Sequence, residues 1–285
     1  MPNKPLVILI TGCSSGFGLL AAARLAADGH RVHATLRDMA KRNDLDAELE
    51  RRNAQQNACV HPMDVTDPVS VKKAVQETIA RDGAIDVLIN NAGFGLGGFF
   101  EDLSDEDWRR QYDTNFFGVL NVTREVLPGM RLRRKGRIIN ISSVSAFSGS
   151  PTMGAYASSK WALEGFSECL YMELKPFNID VVLVEPGSYR TKIFTDNARY
   201  AKDFNNPQSP YFGMSQRVKE FVAGHVRQSR RDPEEVAAVI ARAATASRPR
   251  FRNIIGIPSK LRCWAVRHLP FEGYAAIVQK ILFSG

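Results

Sequence analysis

Apolar residues along the chain fall into short continuous runs separated by longer stretches of helical periodicity. Pro5 to Ile10, Arg31 to Leu36, Cys59 to Met63, Asp86 to Ile89, Gly136 to Ile141 and Ile179 to Val184 each read as a strand. Between them, Leu19 to Asp28, Pro68 to Arg81, Asp105 to about Met130 and the segment around Tyr156 read as helices. Runs that stay apolar without alternating are covered on both faces, so the repeated strand and helix predict an α/β fold around a parallel sheet. Asp232-Pro233-Glu234-Glu235 opens a further helix, and Ile254 to Ile257 could supply a last strand. The pattern lapses from Asp196 to Gly213, a polar and aromatic stretch expected to act as a lid. Helical spacing returns at Leu261, Trp264, Ala265 and Leu269, and again at Phe271, Tyr274, Ala275 and Val278. That apolar stripe fits packing against this domain, against a second subunit or against a membrane surface.

The connections between strands and helices carry the chemistry. After the first strand comes Thr11-Gly12-Cys13-Ser14-Ser15-Gly16-Phe17-Gly18, then a helix. Glycines at 12, 16 and 18 permit a tight turn in which backbone N–H groups and a helix N-terminus approach a pyrophosphate. The second strand ends at Leu36, where an acid would bind the adenosine 2′-hydroxyl of NAD; Arg37 follows and offers a guanidinium fork to a 2′-phosphate. This predicts NADP(H), with Lys41 and Arg42 in support. Asp64-Val65 and Asn91-Ala92-Gly93 follow the third and fourth strands, and Ser142-Ser143 and Pro186-Gly187 close the fifth and sixth. Ligands on parallel sheets bind at such carboxyl ends. Tyr156 and Lys160 stand four apart, one helical turn, so the ammonium is expected to lower the phenol pKa. Asn115 lies inside the long helix beside Phe116, Phe117 and Val119, neighbours that suggest burial.

Composition narrows the field. The 285 residues are 44% hydrophobic and 24% charged, ordinary for a globular protein, and the apolar runs fall far short of a membrane span. With no charged n-region or cleavage site visible before the first strand, no signal peptide is expected. Cys13, Cys59, Cys169 and Cys263 form neither a disulfide framework nor a metal site, so the cytoplasm is the expected compartment. The net charge of +8 gathers at Arg131 to Arg137, Arg227 to Arg231 and Arg248 to Arg252. Without interleaved aromatics these runs fit solvated helix ends and an anionic small molecule better than nucleic acid.

Taken together, the Thr11–Gly18 turn, Asn91-Ala92-Gly93, Asn115, Ser143, Tyr156-x-x-x-Lys160 and Pro186-Gly187 resemble the short-chain dehydrogenase/reductase family over residues 5 to 192. The Thr-Gly-Cys-Ser-Ser-Gly turn with Ala34-Thr35-Leu36-Arg37-Asp38 is similar to the 17β-hydroxysteroid and retinol dehydrogenase branch. The resemblance implies a three-layer doubly wound Rossmann fold with a seven-stranded parallel sheet, in one domain with a substrate lid and C-terminal segment from 193 to 285. It implies a tetrad of Asn115, Ser143, Tyr156 and Lys160 acting on a hydrophobic ketone, aldehyde or alcohol. Tyr156 would move the proton, Ser143 would orient the carbonyl oxygen, and Lys160 would also hold the nicotinamide ribose. Asn115 would hold a water joining Lys160 to solvent. Gly12, Ser14, Ser15, Gly16, Phe17, Gly18, Arg37, Asp64, Val65, Asn91, Ala92, Gly93, Pro186, Gly187 and Thr191 would line the cofactor, with Thr191 on the carboxamide. Phe17 departs from the small aliphatic residue usual in the family, and Ser15 from the base carried by many NADP-dependent members. A homodimer or homotetramer is expected, because Trp161, Leu163, Phe166, Leu170 and Leu174 offer more apolar surface than one sheet face covers. The other function class, a cofactor-binding sensor or scaffold without turnover, usually lacks the tyrosine or lysine present here.

Overall fold

A computed structural model describes residues 4–189, 199–228 and 231–283. In chain order the strands are β1 (Val7–Ile10), β2 (Arg31–Leu36), β3 (Ala58–Pro62), β4 (Val87–Asn90), β5 (Leu96–Gly97), β6 (Gly136–Ile141), β7 (Ile179–Glu185), β8 (Arg199–Tyr200) and β9 (Arg252–Ile254). The helices are α1 (Gly16–Ala27), α2 (Asn43–Arg51), α3 (Pro68–Asp82), α4 (Asp105–Tyr112), α5 (Gly118–Arg133), α6 (Gly154–Leu174), α7 (Phe212–Gln228), α8 (Glu234–Thr245), α9 (Ile257–His268) and α10 (Phe271–Phe283).

Seven strands form one sheet in the order β3-β2-β1-β4-β6-β7-β9, and every pairing is parallel. Successive side chains on a strand point to opposite faces. Ile8 and Ile10 therefore enter one core while Leu9 enters the other, and Ile139 and Ile141 part from Ile138 in the same way. Helices α1, α2 and α8 cover the first face and α3, α5 and α6 the second, which is the three-layer doubly wound Rossmann arrangement. The strand order reverses between β1 and β4, and there a crevice opens at the carboxyl edge.

The helix anticipated from Asp105 to Met130 is three pieces. A five-residue π-helical stretch, Asp113–Phe117, separates α4 from α5. Such a widened turn pulls one residue out of the helical register, and here Asn115 lies at its centre, fully buried. The last strand falls at Arg252–Ile254 rather than 254–257, because Ile257 begins α9. Within the expected lid, β8 pairs with β5 in a small second sheet that no periodicity announced.

The basic runs prove to be internal fasteners as much as surface. Arg137 donates to the carbonyls of Ala243, Ala244 and Ala246 at the end of α8 and to Asp180. Cations belong at a helix C-terminus, where unpaired carbonyls gather negative charge. Among the described residues, no helix is long and apolar enough to cross a membrane.

Candidate active site

The glycine turn is fixed by hydrogen bonds to the segment that follows β4. The Thr11 hydroxyl accepts from the backbone N–H of Asn91 and Ala92 at 3.0 and 2.9 Å, and the Asn91 amide donates to the carbonyls of Thr11 and Gly12 at 2.9 Å. This packing explains two of the glycines. A Cβ on Gly12, whose φ is +73°, would lie 2.7 Å from the Cα of Ala92, and one on Gly18 would strike the Asn91 amide and the Gly12 carbonyl. Gly16 also has positive φ, at +63°. Helix α1 begins there, so its free N–H groups face the cleft.

A cleft of about 370 Å³ runs along the carboxyl edge. It is lined by Gly12, Ser14, Ser15, Gly16, Phe17, Arg37, Asp64, Val65, Asn91, Ala92, Gly93, Ser143, Tyr156, Lys160, Pro186 and Gly187. Two anticipated residues lie just behind the wall: Gly18 under Asn91, and Asn115 under Gly93. Thr191 lies outside the described residues. Phe17 packs edge-on against the buried Tyr189, ring centroids 5.6 Å apart, which accounts for an aromatic where a smaller residue was expected.

At the inner end, Tyr156 is buried on the first turn of α6 and lines the cleft together with Ser143. Lys160, one turn on, is buried with Nζ 6.0 Å from the Tyr156 ring centroid and donates to the Ile141 carbonyl at 2.8 Å. Asn115 accepts from the N–H of Phe94 at 3.1 Å and donates to its carbonyl at 3.0 Å. Both groups press on Gly93, where a Cβ would lie 3.1 Å from Asn115 Oδ1 and 3.8 Å from Lys160 Nζ.

The electrostatics differ from the expectation of a phenol depressed by the lysine. Burial pushes the Tyr156 phenol up, with the Ser143 hydrogen bond pulling the other way. Burial also brings Lys160 down to about 8, opposed by Glu164 one turn further along α6. A charge taken out of water is disfavoured whatever its sign, and burial is the largest influence on both groups. Glu164 belongs to a buried acidic cluster that sequence reading missed. Arg252 of β9 donates to Glu164, to Glu168 and, at 3.1 Å, to Glu185. Burial, with Glu164 close by, pushes Glu185 up to about 8. The available signal was a glutamate four residues after Lys160.

The outer end carries a second correction. Leu36, assigned to the ribose-discriminating position, is fully buried in the core. The cleft meets Arg37, Asp38 and Lys41 instead. Asp38 accepts the N–H of Ala40 at 3.0 Å, whereas Arg37 is exposed and has no carboxylate partner among the described residues. Phe94, Arg110, Thr114 and Arg199 also line the cleft and were not anticipated.

A seven-stranded parallel sheet with a glycine turn at its switch point, and a buried Tyr, Ser and Lys at the far end of the same cleft, defines a dinucleotide-dependent oxidoreductase class. The chain belongs to the short-chain dehydrogenase/reductase family, whose model, described as short chain dehydrogenase, matches residues 6–201. It is 39% identical over 255 residues to the 3-ketodihydrosphingosine reductase of Bacteroides thetaiotaomicron, covering 89% of this chain and 88% of that protein. It is 43% identical over 195 residues to human retinol dehydrogenase 8, covering 67% of this chain and 61% of that one. A short-chain dehydrogenase from Streptomyces avermitilis superposes with a TM-score of 0.79 at 30% identity, over 99% of this chain and 96% of that one. Solved structures of the fold hold NAD in one case and NADP in another.

Proposed function

We propose that this chain is an NADP(H)-dependent oxidoreductase that interconverts a hydrophobic ketone or aldehyde with its alcohol, using Tyr156 as general acid and base. The observation that carries the reading is the buried Tyr156, with Ser143 in the same cleft, whose other end is the glycine turn. The cleft fits the dinucleotide on two counts: the turn keeps Cβ-free backbone against the space, and Arg37 waits at the far end with its charge unpaired among the described residues. The bound nicotinamide supplies or accepts the hydride; the protein manages the proton.

In this reading the Ser143 hydroxyl donates to the substrate carbonyl oxygen and Tyr156 delivers its proton there as the alcohol forms. A phenol pushed up by burial is protonated at neutral pH, the form that reduction requires. Lys160 holds the nicotinamide ribose and the charge next to Tyr156. Asn115, at the centre of the π-helical stretch and tied to both backbone groups of Phe94, keeps a route from Lys160 towards solvent. Thr191 is proposed for the carboxamide.

The NADP(H) preference rests on Arg37 and on Asp38 being engaged by Ala40. A homodimer or homotetramer through α5 and α6 is proposed from the apolar residues those helices leave exposed. Leu163, Leu170 and Leu174 are buried within the subunit, leaving Phe117, Leu132, Trp161 and Met172 as the large exposed apolar residues there. The proposed function is tested by following NADPH oxidation over a panel of hydrophobic ketones and aldehydes. Turnover of at least one is expected; NADPH binding without oxidation of any would favour a sensor.

A further inference from the structure

Three arginines face the cleft, and no carboxylate neutralises them as a group. Arg199, on β8, lies with its guanidinium 5.3 Å from the ring centroid of Phe94, and both line the cleft. Arg110, from α4, lines the same space; its Nη2 donates to Asp107 at 2.7 Å, but its Nε is buried and has no hydrogen-bond partner. Arg37 is the third. Asp107 is also committed to the N-terminal cap of α4 through Ser104, and Asp64 to Thr66. Arg199 has no carboxylate partner among the described residues. Its charged form is disfavoured first by burial and then by Arg110 and Arg37.

We propose that Arg110 and Arg199 form an anion subsite on the β5–β8 side of the cleft, which receives a carboxylate or phosphate in the bound complex. Gathering like charges in a partly desolvated cleft is unfavourable until a counter-anion enters, and the guanidinium fork matches the oxygens of either group. An unpaired buried N–H adds a donor already stripped of water. The anion has two sources: an acidic group on the substrate or a phosphate of the cofactor. The first source extends the proposed function by making the substrate an acidic, otherwise apolar carbonyl compound, and it rests on that reading.

The experiment uses Arg110→Gln, Arg199→Gln and the double variant. Inorganic phosphate, added against chloride at constant ionic strength, should raise the Tm of the wild type by more than that of the double variant; this arm needs no turnover. Kinetics then locate the source. If it is the substrate, KM for a keto acid rises about 10-fold or more in the variants while KM for its uncharged analogue and Kd for NADPH stay within about twofold. If it is the cofactor, Kd for NADPH rises by that factor and the two substrates respond alike. An equal phosphate response in wild type and double variant, with every KM and Kd unchanged, would overturn the subsite. Failure of wild type to oxidise NADPH, with the phosphate difference intact, would count against the proposed function alone.

Discussion

Replacing Arg37 with alanine separates recognition of a 2′-phosphate from everything else the cleft does. The side chain is exposed beyond the end of β2, lines the cleft and has no carboxylate partner among the described residues. Truncation therefore removes a cation without orphaning a buried acid. Hydrogen bonds to charged groups contribute about 1.5 to 3 kcal/mol, equivalent to about 10-fold to 150-fold in kcat/KM for NADPH. Solvent screening at an exposed position puts the expectation near the lower bound. For NADH, which lacks the phosphate, the change should stay within about twofold. Initial rates at matched substrate, followed by nicotinamide absorbance, give both numbers from one preparation. Equal losses with the two cofactors would mean that Arg37 only supports the loop; no loss with NADPH would remove the NADP(H) reading. Leu36→Asp is a poor substitute, because Leu36 is fully buried and a carboxylate there would report lost stability rather than changed preference.

Lys160→Met should lower kcat and weaken NADPH binding together; a fall in kcat alone would remove the ribose contact. Because burial holds Lys160 at about 8, its ammonium is lost as pH rises through that value, and kcat/KM for reduction should fall above it. A profile that stays flat across that pH would contradict the role. Glu185 has its folded pKa raised from 4.5 to about 8, so the folded state keeps a proton that the unfolded chain releases across that window. Stability from this group is present at low pH and lost as pH rises through about 8; Glu185→Gln should flatten that part of the Tm profile, and an unchanged slope would refute it. Light scattering should give a dimer or tetramer, and a mass near 31.7 kDa at micromolar concentration would exclude one.

The sheet was legible because buried parallel strands write themselves as unbroken apolar runs, and the cleft because its turns need glycines at fixed positions. Residues acting through the backbone, such as Gly12, Gly18 and Asn91, could thus be found from spacing. Contacts made by side chains across long loops could not. Arg199 reaches Phe94 only because β8 pairs with β5, and two residues of strand carry no period. Arg252, Glu164 and Glu185 meet from three separate elements, so the spacing of Glu164 from Lys160 could not by itself reveal the cluster. Leu36 shows the opposite failure: its place in the sequence suggested the cofactor, while alternation along β2 turned its side chain into the core.

In the proposed mechanism Tyr156 supplies the proton at the reacting carbonyl. The most direct test of that step is Tyr156→Phe, assayed for single-turnover reduction under saturating NADPH, with NADPH affinity measured on the same sample. The ring and its packing remain, so binding should stay within a few-fold while the rate falls about 100-fold to 10,000-fold, the usual loss when general acid catalysis alone is removed. A variant that kept more than about a tenth of the wild-type rate would contradict the assignment, since proton transfer of that efficiency would have to come from another group.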